Sequence, residues 1–278
     1  MTQAIIKNRE HYDNISKAWL YLMGECFHWG YFDDVSDQDL GRATERLVTR
    51  MASRMNLKAG QNILDVGCGI GGPALQLCQQ FDVSVTGISI SEQGVAIAKK
   101  NAEASGHSLK ADFHLRDAME NGFIDEQFDH VWLMEMSHLL PDKCALIKES
   151  CRVLKKGGTL ALCDLTFRRE PSLSEMAKMR VELRAMERAF GVARLNKPDF
   201  YKEIFLRNRL EPFFVEDISD QVSATADQWI KNAEKYRLEV VELIGESALS
   251  DFVISCKALR KLYDDKIWGY HIFWVEKS

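Results

Sequence analysis

Short apolar runs alternate with amphipathic helical patterns along residues 39–163. Leucine, valine and methionine recur at helical spacing over residues 39–56, which predicts a helix that Asp37 or Asp39 caps. Further helices are predicted from Pro73, from the N-cap Ser91 to about residue 105, and over 143–154. The predicted strands are 62–66, 83–88, 113–115, 128–134 and 159–163. This alternation predicts an α/β domain whose parallel sheet is covered by helices on both faces.

The alternation is interrupted after residue 165. Residues 166–210 are helical in pattern and rich in methionine and arginine. A strand over 213–218, a helical stretch over 224–262 and a final strand over 270–275 are predicted to follow. Because there is no internal repeat and no linker rich in glycine, serine or proline, we predict one domain with a helical insertion.

Composition narrows the class of protein. The chain has 278 residues, 46% of them hydrophobic, and a formal net charge of -5. It therefore has enough apolar mass to fold, and no overall positive charge to attract nucleic acid or an anionic membrane. Its seven cysteines include no CxxC pair, so we expect neither a disulfide framework nor a metal site. The N-terminus becomes charged too early for a signal peptide, which predicts a cytoplasmic protein.

A glycine-rich turn follows the first predicted strand. Its pattern is Asp65-x-Gly67-x-Gly69-x-Gly71, and a helix begins directly after it. Glycines in such a turn let the backbone approach a ligand closely, although a turn of this kind can also be kept for geometry alone. Dinucleotide-binding enzymes use a related spacing to hold a pyrophosphate. An acid at the strand end suits an ammonium group and would repel a pyrophosphate.

This turn resembles the first motif of the class I S-adenosylmethionine-dependent methyltransferases, in the small-molecule branch of tocopherol, sarcosine and cyclopropane-synthase-like enzymes. The resemblance extends along nearly the whole chain. It implies a Rossmann-like seven-stranded mixed sheet with helices on both faces, an N-terminal helical cap and a helical lid. The single domain 1–278 would then consist of a cap (1–38), a cofactor-binding core (39–165), a substrate lid (166–210) and C-terminal strands and helices (211–278).

The resemblance also implies a set of contacts to S-adenosylmethionine. The glycine-rich turn would lie under the amino-acid part of the cofactor, and Ser89 and Gln93 would be near the ribose. Asp117 would accept a hydrogen bond from the adenine amino group. The glutamine of relatives lies one place after Gln93. The implied cofactor contacts are Tyr12, Trp29, Gly30, Tyr31, Asp65, Gly67, Gly69, Gly71, Ser89, Ile90, Gln93, Asp117, Ala118, Met119 and Glu135.

Two residues after the fourth predicted strand are candidates for catalysis. Glu135 would lie beside the cofactor and face the substrate, since ligands of an open parallel sheet bind beyond the carboxyl ends of its strands. It could attract a substrate cation or remove a proton. His138 is the second candidate; it comes one residue before the histidine of relatives, and a structural role is the alternative.

The predicted lid helix has an apolar stripe and an arginine row. Arg180, Arg184 and Arg188 follow at helical spacing, beside a stripe that includes Met186 and Phe190. The arginines could pair with Glu175, Glu182 and Glu187 on an amphipathic helix, or they could hold an anionic substrate above an apolar pocket. The candidate substrate contacts are His28, Phe167, Arg180, Arg184, Met186 and Phe190.

The predicted activity is methyl transfer to carbon, nitrogen or oxygen of a small molecule, such as a natural product. C-methylation of a prenyl diphosphate held by lid arginines is the alternative within the family. An NAD-dependent oxidoreductase and a catalytically silent partner subunit are alternatives of other classes. We expect a monomer or homodimer that binds no nucleic acid and no membrane.

Overall fold

The computed structural model describes residues 15–34 and 39–278. Tyr12, an implied cofactor contact, and Asp37, one of the two predicted helix caps, lie outside the described residues. Within the described part of the chain, no helix is long and apolar enough to cross a membrane.

Seven strands form one mixed sheet. They are β1 (Asn62–Val66), β2 (Ser84–Ser89), β3 (Ala111–Leu115), β4 (Phe128–Met134), β5 (Leu154–Phe167), β6 (Leu210–Asp217) and β7 (Trp268–Lys277). Their order is β3-β2-β1-β4-β5-β7-β6. The first five strands are parallel, and β7 is antiparallel to both β5 and β6. The predicted seven-stranded mixed sheet is confirmed.

Helices cover both faces of this sheet. Residues 15–22 are helical and are named α1 here. The others are α2 (Leu40–Ala52), α3 (Gly72–Phe81), α4 (Glu92–Ala104), α5 (Lys143–Val153), α6 (Leu173–Lys178), α7 (Arg180–Phe190), α8 (Pro198–Arg207), α9 (Ser219–Val222), α10 (Thr225–Lys235) and α11 (Arg237–Asp264). One turn of 3₁₀ helix, Ser137–Leu139, lies between β4 and α5.

Side chains just before the helices satisfy the first backbone N–H groups. The Asp39 carboxylate accepts from the backbone N–H of Arg42, and the Ser91 hydroxyl accepts from that of Gly94. Such caps compensate donors that have no partner within the helix. The predicted starts of α2 and α4 are therefore confirmed.

Alternate residues of the strands supply two apolar cores, one on each face. In β4, Trp132 packs in the core under α2, α3, α10 and α11, while Val131 and Leu133 pack in the core under α5 and α8. Successive side chains of a strand point to opposite faces, so a strand covered on both sides is apolar throughout. The near-continuous apolar run of β4 follows from this arrangement.

Three predicted boundaries are wrong. Strand β5 runs from Leu154 to Phe167, so it begins before the predicted strand 159–163, and the segment after residue 165 is not helical at its start. Helix α8 lies within the predicted lid 166–210, yet Tyr201 and Phe205 belong to the core beneath the sheet. The helical stretch over 224–262 is divided into α10 and α11, and Gly245, with φ +80°, interrupts α11.

Candidate functional site

A cavity of about 180 Å³ lies at the carboxyl ends of β1, β2 and β4. It is where the strand order of an open α/β sheet reverses, which is the usual ligand position in such folds. Nine of the residues predicted from sequence line it, namely His28, Asp65, Gly67, Gly69, Ser89, Ile90, Asp117, Ala118 and Glu135.

The glycine-rich turn gives this cavity a floor of bare backbone. Gly67 has φ +85°, and a Cβ atom there would come within 2.8 Å of the Met136 Cβ. Gly69 also has positive φ, at +52°. The backbone N–H groups of Gly67 and Cys68 both donate to the Ile88 carbonyl, which holds the turn against β2. A ligand can therefore contact the backbone of the turn directly.

Asp65 is buried beside this floor, with 2% of the residue exposed. Among the described residues there is no counter-charge beside it and no hydrogen-bond partner for its Oδ2. Burial raises the pKa of its carboxyl to about 7. An unpaired buried acid next to a cavity is complemented by a cationic ligand group, and S-adenosylmethionine carries an ammonium in its amino-acid part. The residues of this cavity thus fit the cofactor that the sequence implies.

Six of the implied cofactor contacts within the described residues do not line this cavity, and three of them, Gly71, Gln93 and Met119, follow strands β1, β2 and β3. Gly71 packs in the sheet layer, where a Cβ would come within 2.8 Å of the Phe113 ring. Gln93 is exposed on α4, and Met119 is partly buried against the core under α5. Gly71 is therefore required for close packing of the turn, and the other two do not join the cavity in this structure.

A second cavity, of about 260 Å³, lies between α1, α7, α10, α11 and the end of β5. Its wall is mainly aromatic and aliphatic, and the charged or ionisable lining residues are Glu135, His138 and Glu187. No lysine or arginine is among the described residues that line it. The apolar lining residues include Trp19, Phe27, Trp29, Leu165, Met176, Leu183, Met186, Phe190, Trp229, Leu259 and Trp268.

Glu135 stands where the two cavities meet. It lines both of them, as does Phe27. Its Oε1 accepts from the backbone N–H of Trp29 at 2.8 Å and from the Tyr270 hydroxyl at 2.5 Å. Burial raises the pKa of the Glu135 carboxyl to about 8, although these two hydrogen bonds lower it. A carboxyl group therefore joins the two cavities and ties the N-terminal segment to the sheet.

His138 and Asp164 form a hydrogen-bonded pair at the second cavity. The His138 Nδ1 lies 2.5 Å from Asp164 Oδ1, and the Asp164 Oδ2 accepts from the His138 backbone N–H and the Ser137 hydroxyl. Burial of Asp164 favours its neutral form, yet its interaction with His138 and these hydrogen bonds keep its pKa below the usual value. Since Asp164 occupies Nδ1, Nε2 is the ring nitrogen available to a ligand in the cavity.

Asp164 and Tyr270 were not among the residues predicted from sequence. Asp164 directly follows the predicted strand 159–163, and β5 lies beside β4 with Cys163 opposite Met134. The carboxyl ends of neighbouring parallel strands therefore bring Asp164 and Glu135 to one edge, a signal that was present in the sequence. Tyr270 comes from an antiparallel strand late in the chain, and no local pattern marks it.

The N-terminal aromatic segment is divided between the two cavities and the core. Trp29 lines the second cavity, not the first. A Cβ on Gly30 would come within 2.7 Å of the Ala43 Cβ, and the Tyr31 N–H donates to the Ala43 carbonyl. His28 lines the first cavity instead of the predicted substrate site, and burial lowers its pKa to about 4. Trp29 alone of these four reaches the apolar cavity.

The lid arginines do not reach either cavity. Arg180 and Arg184 are exposed on α7, while Arg188 pairs with Asp251 of α11 at 2.6 Å. Phe167 lines a shallow surface depression instead. Met186 and Phe190 do line the second cavity, as predicted. The apolar stripe of α7 faces the cavity, so the arginine row at a different angle faces solvent.

The chain is similar in sequence and in fold to known proteins. The sequence profile of a family described as "Methyltransferase domain" matches residues 64–162. The chain is 34% identical to 27-O-demethylrifamycin SV methyltransferase of Amycolatopsis mediterranei (strain S699), over 96% of this chain and 95% of that protein. It is 28% identical to methyltransferase GfsG of Streptomyces halstedii, over 94% and 90% of the two chains. The crystal structure of the [4+2]-cyclase SpnF is similar, with a TM-score of 0.83, 26% identity and coverage of 97% and 95%.

Proposed function

Because the chain belongs to the class I S-adenosylmethionine-dependent methyltransferases, we propose that it methylates a hydroxyl oxygen of an uncharged, largely apolar small molecule. Family membership removes the oxidoreductase alternative, and the acid in the glycine-rich turn agrees with this. Several other relatives are named O-methyltransferases. These names support the choice of oxygen without fixing the acceptor.

The observation that carries this proposal is the pairing of His138 with Asp164 in the wall of the apolar cavity. A neutral hydroxyl is a weak nucleophile until a base removes its proton. The Nε2 atom of His138 would take that proton, and the ionised Asp164 would stabilise the imidazolium and hold the ring in one orientation. A histidine with its other nitrogen held by a carboxylate is suited to this role.

The first cavity is the proposed cofactor site. When bound there, S-adenosylmethionine supplies an electrophilic methyl group. Asp65 would hold the ammonium, the backbones of Gly67 and Gly69 would contact the amino-acid part, and Asp117 would accept the adenine amino group. Ser89 would be a polar side chain near the ribose. Glu135, at the junction of the two cavities, would place a carboxyl group near the positively charged sulfonium of the cofactor.

Catalysis would depend chiefly on positioning. The two cavities meet at Glu135 and Phe27, so an acceptor in the second cavity can be held next to a group in the first. Holding both reactants in line converts their encounter into an intramolecular step. The aromatic and aliphatic wall would also keep water away from the reacting atoms.

The lining of the second cavity favours an acceptor without phosphate groups. No cation from the described residues lines it, and Arg180 and Arg184 are exposed elsewhere. A diphosphate moved from water into an apolar cavity without a counter-charge is strongly disfavoured. C-methylation of a prenyl diphosphate therefore has no support in this geometry. Four tryptophans in the wall favour a ring-bearing acceptor such as a natural product.

Product analysis with matched acceptors tests this proposal. Hydroxylated polycyclic compounds, each paired with an analogue that keeps the acceptor hydroxyl and carries a phosphate ester at a second position, are incubated with S-adenosylmethionine carrying a deuterated methyl group. We expect labelled methyl ethers from the free hydroxyl compounds and no product from the esters. His138→Gln should lower the rate by about 10²–10⁴-fold, whereas Lys148→Met, on the exposed face of α5, should not. Methylation at carbon or nitrogen, or an unchanged His138→Gln rate, would contradict the proposal.

A further inference from the structure

An extended segment after α7 is attached to the turn that carries His138. This connector, residues 191–197, joins α7 to α8. Its first three residues line the second cavity. The backbone N–H of its fourth residue, Arg194, donates to the His138 carbonyl at 2.7 Å. The connector therefore contacts both the second cavity and the candidate base His138.

A buried lysine reaches the connector from the other side. Lys143, the first residue of α5, is 4% exposed. Its Nζ donates to the Arg194 carbonyl at 2.7 Å and to the Leu140 carbonyl at 3.4 Å. Leu140 directly follows the 3₁₀ turn Ser137–Leu139. One amine thus joins the C-terminal end of the His138 turn to the connector.

This burial is costly for a lysine. Burial lowers the pKa of the Lys143 amine, the Arg194 charge adds to that effect, and the Asp164 carboxylate opposes it. A buried amine is tolerated only where its hydrogen bonds compensate the lost water. An apolar side chain would be buried here at a lower desolvation cost. A lysine at this position is therefore consistent with a role for its two hydrogen bonds.

We propose that Lys143 is a positioning residue, which holds the connector against the His138 turn so that Nδ1 of His138 stays on Asp164 and Nε2 faces the acceptor. This inference rests on the proposed role of His138 as the base. The His138 backbone is held on both sides, by Asp164 at its N–H and by Arg194 at its carbonyl. Lys143 keeps the second of these in place. Displacement of the connector, which is continuous with the lid helix α7, would release the base.

Loss of Lys143 should impair chemistry more than binding. Its amine does not line the cofactor cavity, and its bond to Leu140, which does line that cavity, is the longer of the two at 3.4 Å, so Lys143→Met should change the affinity for S-adenosylhomocysteine little. A base displaced by about 1 Å can slow a reaction by about 10²-fold. We therefore expect a fall of that order in kcat, with little change in the KM for cofactor.

The decisive readout is the His138 Nδ1 proton in the NMR spectrum of the full chain with S-adenosylhomocysteine, which requires no acceptor. The resonance is assigned by its loss in His138→Gln. It should be present in the wild type and in Lys148→Met, and broadened or absent in Lys143→Met. Lys143→Gln, which keeps an N–H donor, should retain part of the signal and provides the same test if the methionine variant does not fold.

The outcomes separate this inference from the proposed function. An unchanged resonance and an unchanged kcat in Lys143→Met would overturn the positioning role. A joint fall of kcat and cofactor affinity, with a lower melting temperature, would show a merely structural role and would also overturn it. Full activity of His138→Gln would instead refute the base itself, whatever the result for Lys143.

Discussion

At the scale of single residues, three acids at one edge of the sheet have different electrostatic environments. Asp65 is buried and Glu135 is partly buried, and neither has a cation beside it among the described residues. Loss of water around these carboxyls raises their pKa values to about 7 and about 8. Asp164 has a pKa below its usual value because His138 and its hydrogen bonds outweigh the effect of burial. Asp65 and Glu135 are therefore suited to a cationic ligand, whereas Asp164 is already paired with His138.

Asp65 should make the stability of the ligand-free protein depend on pH. Its carboxyl titrates near 3.8 when unfolded and near 7 when folded, so the folded state holds this proton more tightly. The contribution of Asp65 to the stability of the fold is fully present below its pKa in the unfolded state and is lost as pH rises through its pKa in the folded state. Asp65→Asn should thus gain stability relative to wild type, by on the order of a few kcal/mol, between about pH 4 and about pH 7.

Urea unfolding of both proteins at the two ends of this pH range measures the difference. His28 titrates in an overlapping window with the opposite sign, since burial lowers its pKa to about 4. Only the difference between variant and wild type is therefore informative. Glu103→Gln, at an exposed site on α4, is the control. A difference that does not change with pH would contradict the buried, unpaired state of Asp65.

Sequence reasoning located residues whose position follows from a local motif. Asp65, Gly67 and Glu135 lie at the ends of strands that their own apolar runs predict. The arginine row was ambiguous, since helical spacing fixes relative angles and not which stripe faces inward. Asp164 was missed because the predicted strand ended one residue before it, and the hydrogen bond to His138 depends on tertiary packing.

At the level of elements, α7 forms one wall of the second cavity, the proposed acceptor site, and an ion pair attaches its end to α11. Arg188 Nε and Nη2 donate to the two carboxylate oxygens of Asp251, each at 2.6 Å. Arg180 lies on the same helix, exposed, two turns earlier. Exposed ion pairs contribute little to overall stability, but this one fixes a helix end beside the cavity.

Arg188→Ala should raise the KM for acceptor several-fold and leave the urea midpoint close to the wild-type value. Arg180→Ala, the matched control, should change neither quantity, because its side chain faces solvent. Asp251→Ala should reproduce the Arg188→Ala effect, and the double variant should be no worse than either single variant. A raised KM in Arg180→Ala would show instead that the arginine row binds the acceptor.

Element boundaries were predictable where a cap or a strong apolar run marks them. The predicted strand 62–66 agrees with β1, and Ser91 caps α4 as its sequence indicates. The division between α10 and α11 was not predictable, because apolar spacing continues across it. Helix α8 has the amphipathic pattern of a lid helix, and only the position of β6 and β7 places it under the sheet.

At the scale of the whole molecule, the N-terminal segment closes the site by contacts with distant parts of the chain. Trp29 N–H binds Glu135, and Gly30 N–H donates to the Thr225 hydroxyl at 3.0 Å. The Phe32 N–H donates to the Gln221 carbonyl. The second cavity, the proposed acceptor site, is thus lined by residues that are far apart in sequence, and it forms only when these parts of the chain are folded together.

Thr225→Val should weaken this closure. Valine has nearly the same shape, but the buried N–H of Gly30 loses its acceptor, at a cost of about 1–3 kcal/mol in unfolding free energy. Affinity for S-adenosylhomocysteine should fall as well, since His28 and Phe27 of the same segment line the cofactor cavity. Thr49→Val, at an exposed position, is the control. Equal behaviour of the two variants in urea unfolding and calorimetric titration would contradict the closure.

If His138, held by Asp164, removes a proton from the acceptor hydroxyl as proposed, the rate of methyl transfer should respond to the acidity of that hydroxyl. Single-turnover methyl transfer is measured for hydroxylated acceptors of one ring skeleton whose hydroxyl pKa values differ. The wild type should depend weakly on acceptor pKa. His138→Gln should depend strongly on it and approach the wild-type rate for acceptors that are already ionised. Parallel dependences in the two proteins would contradict the account.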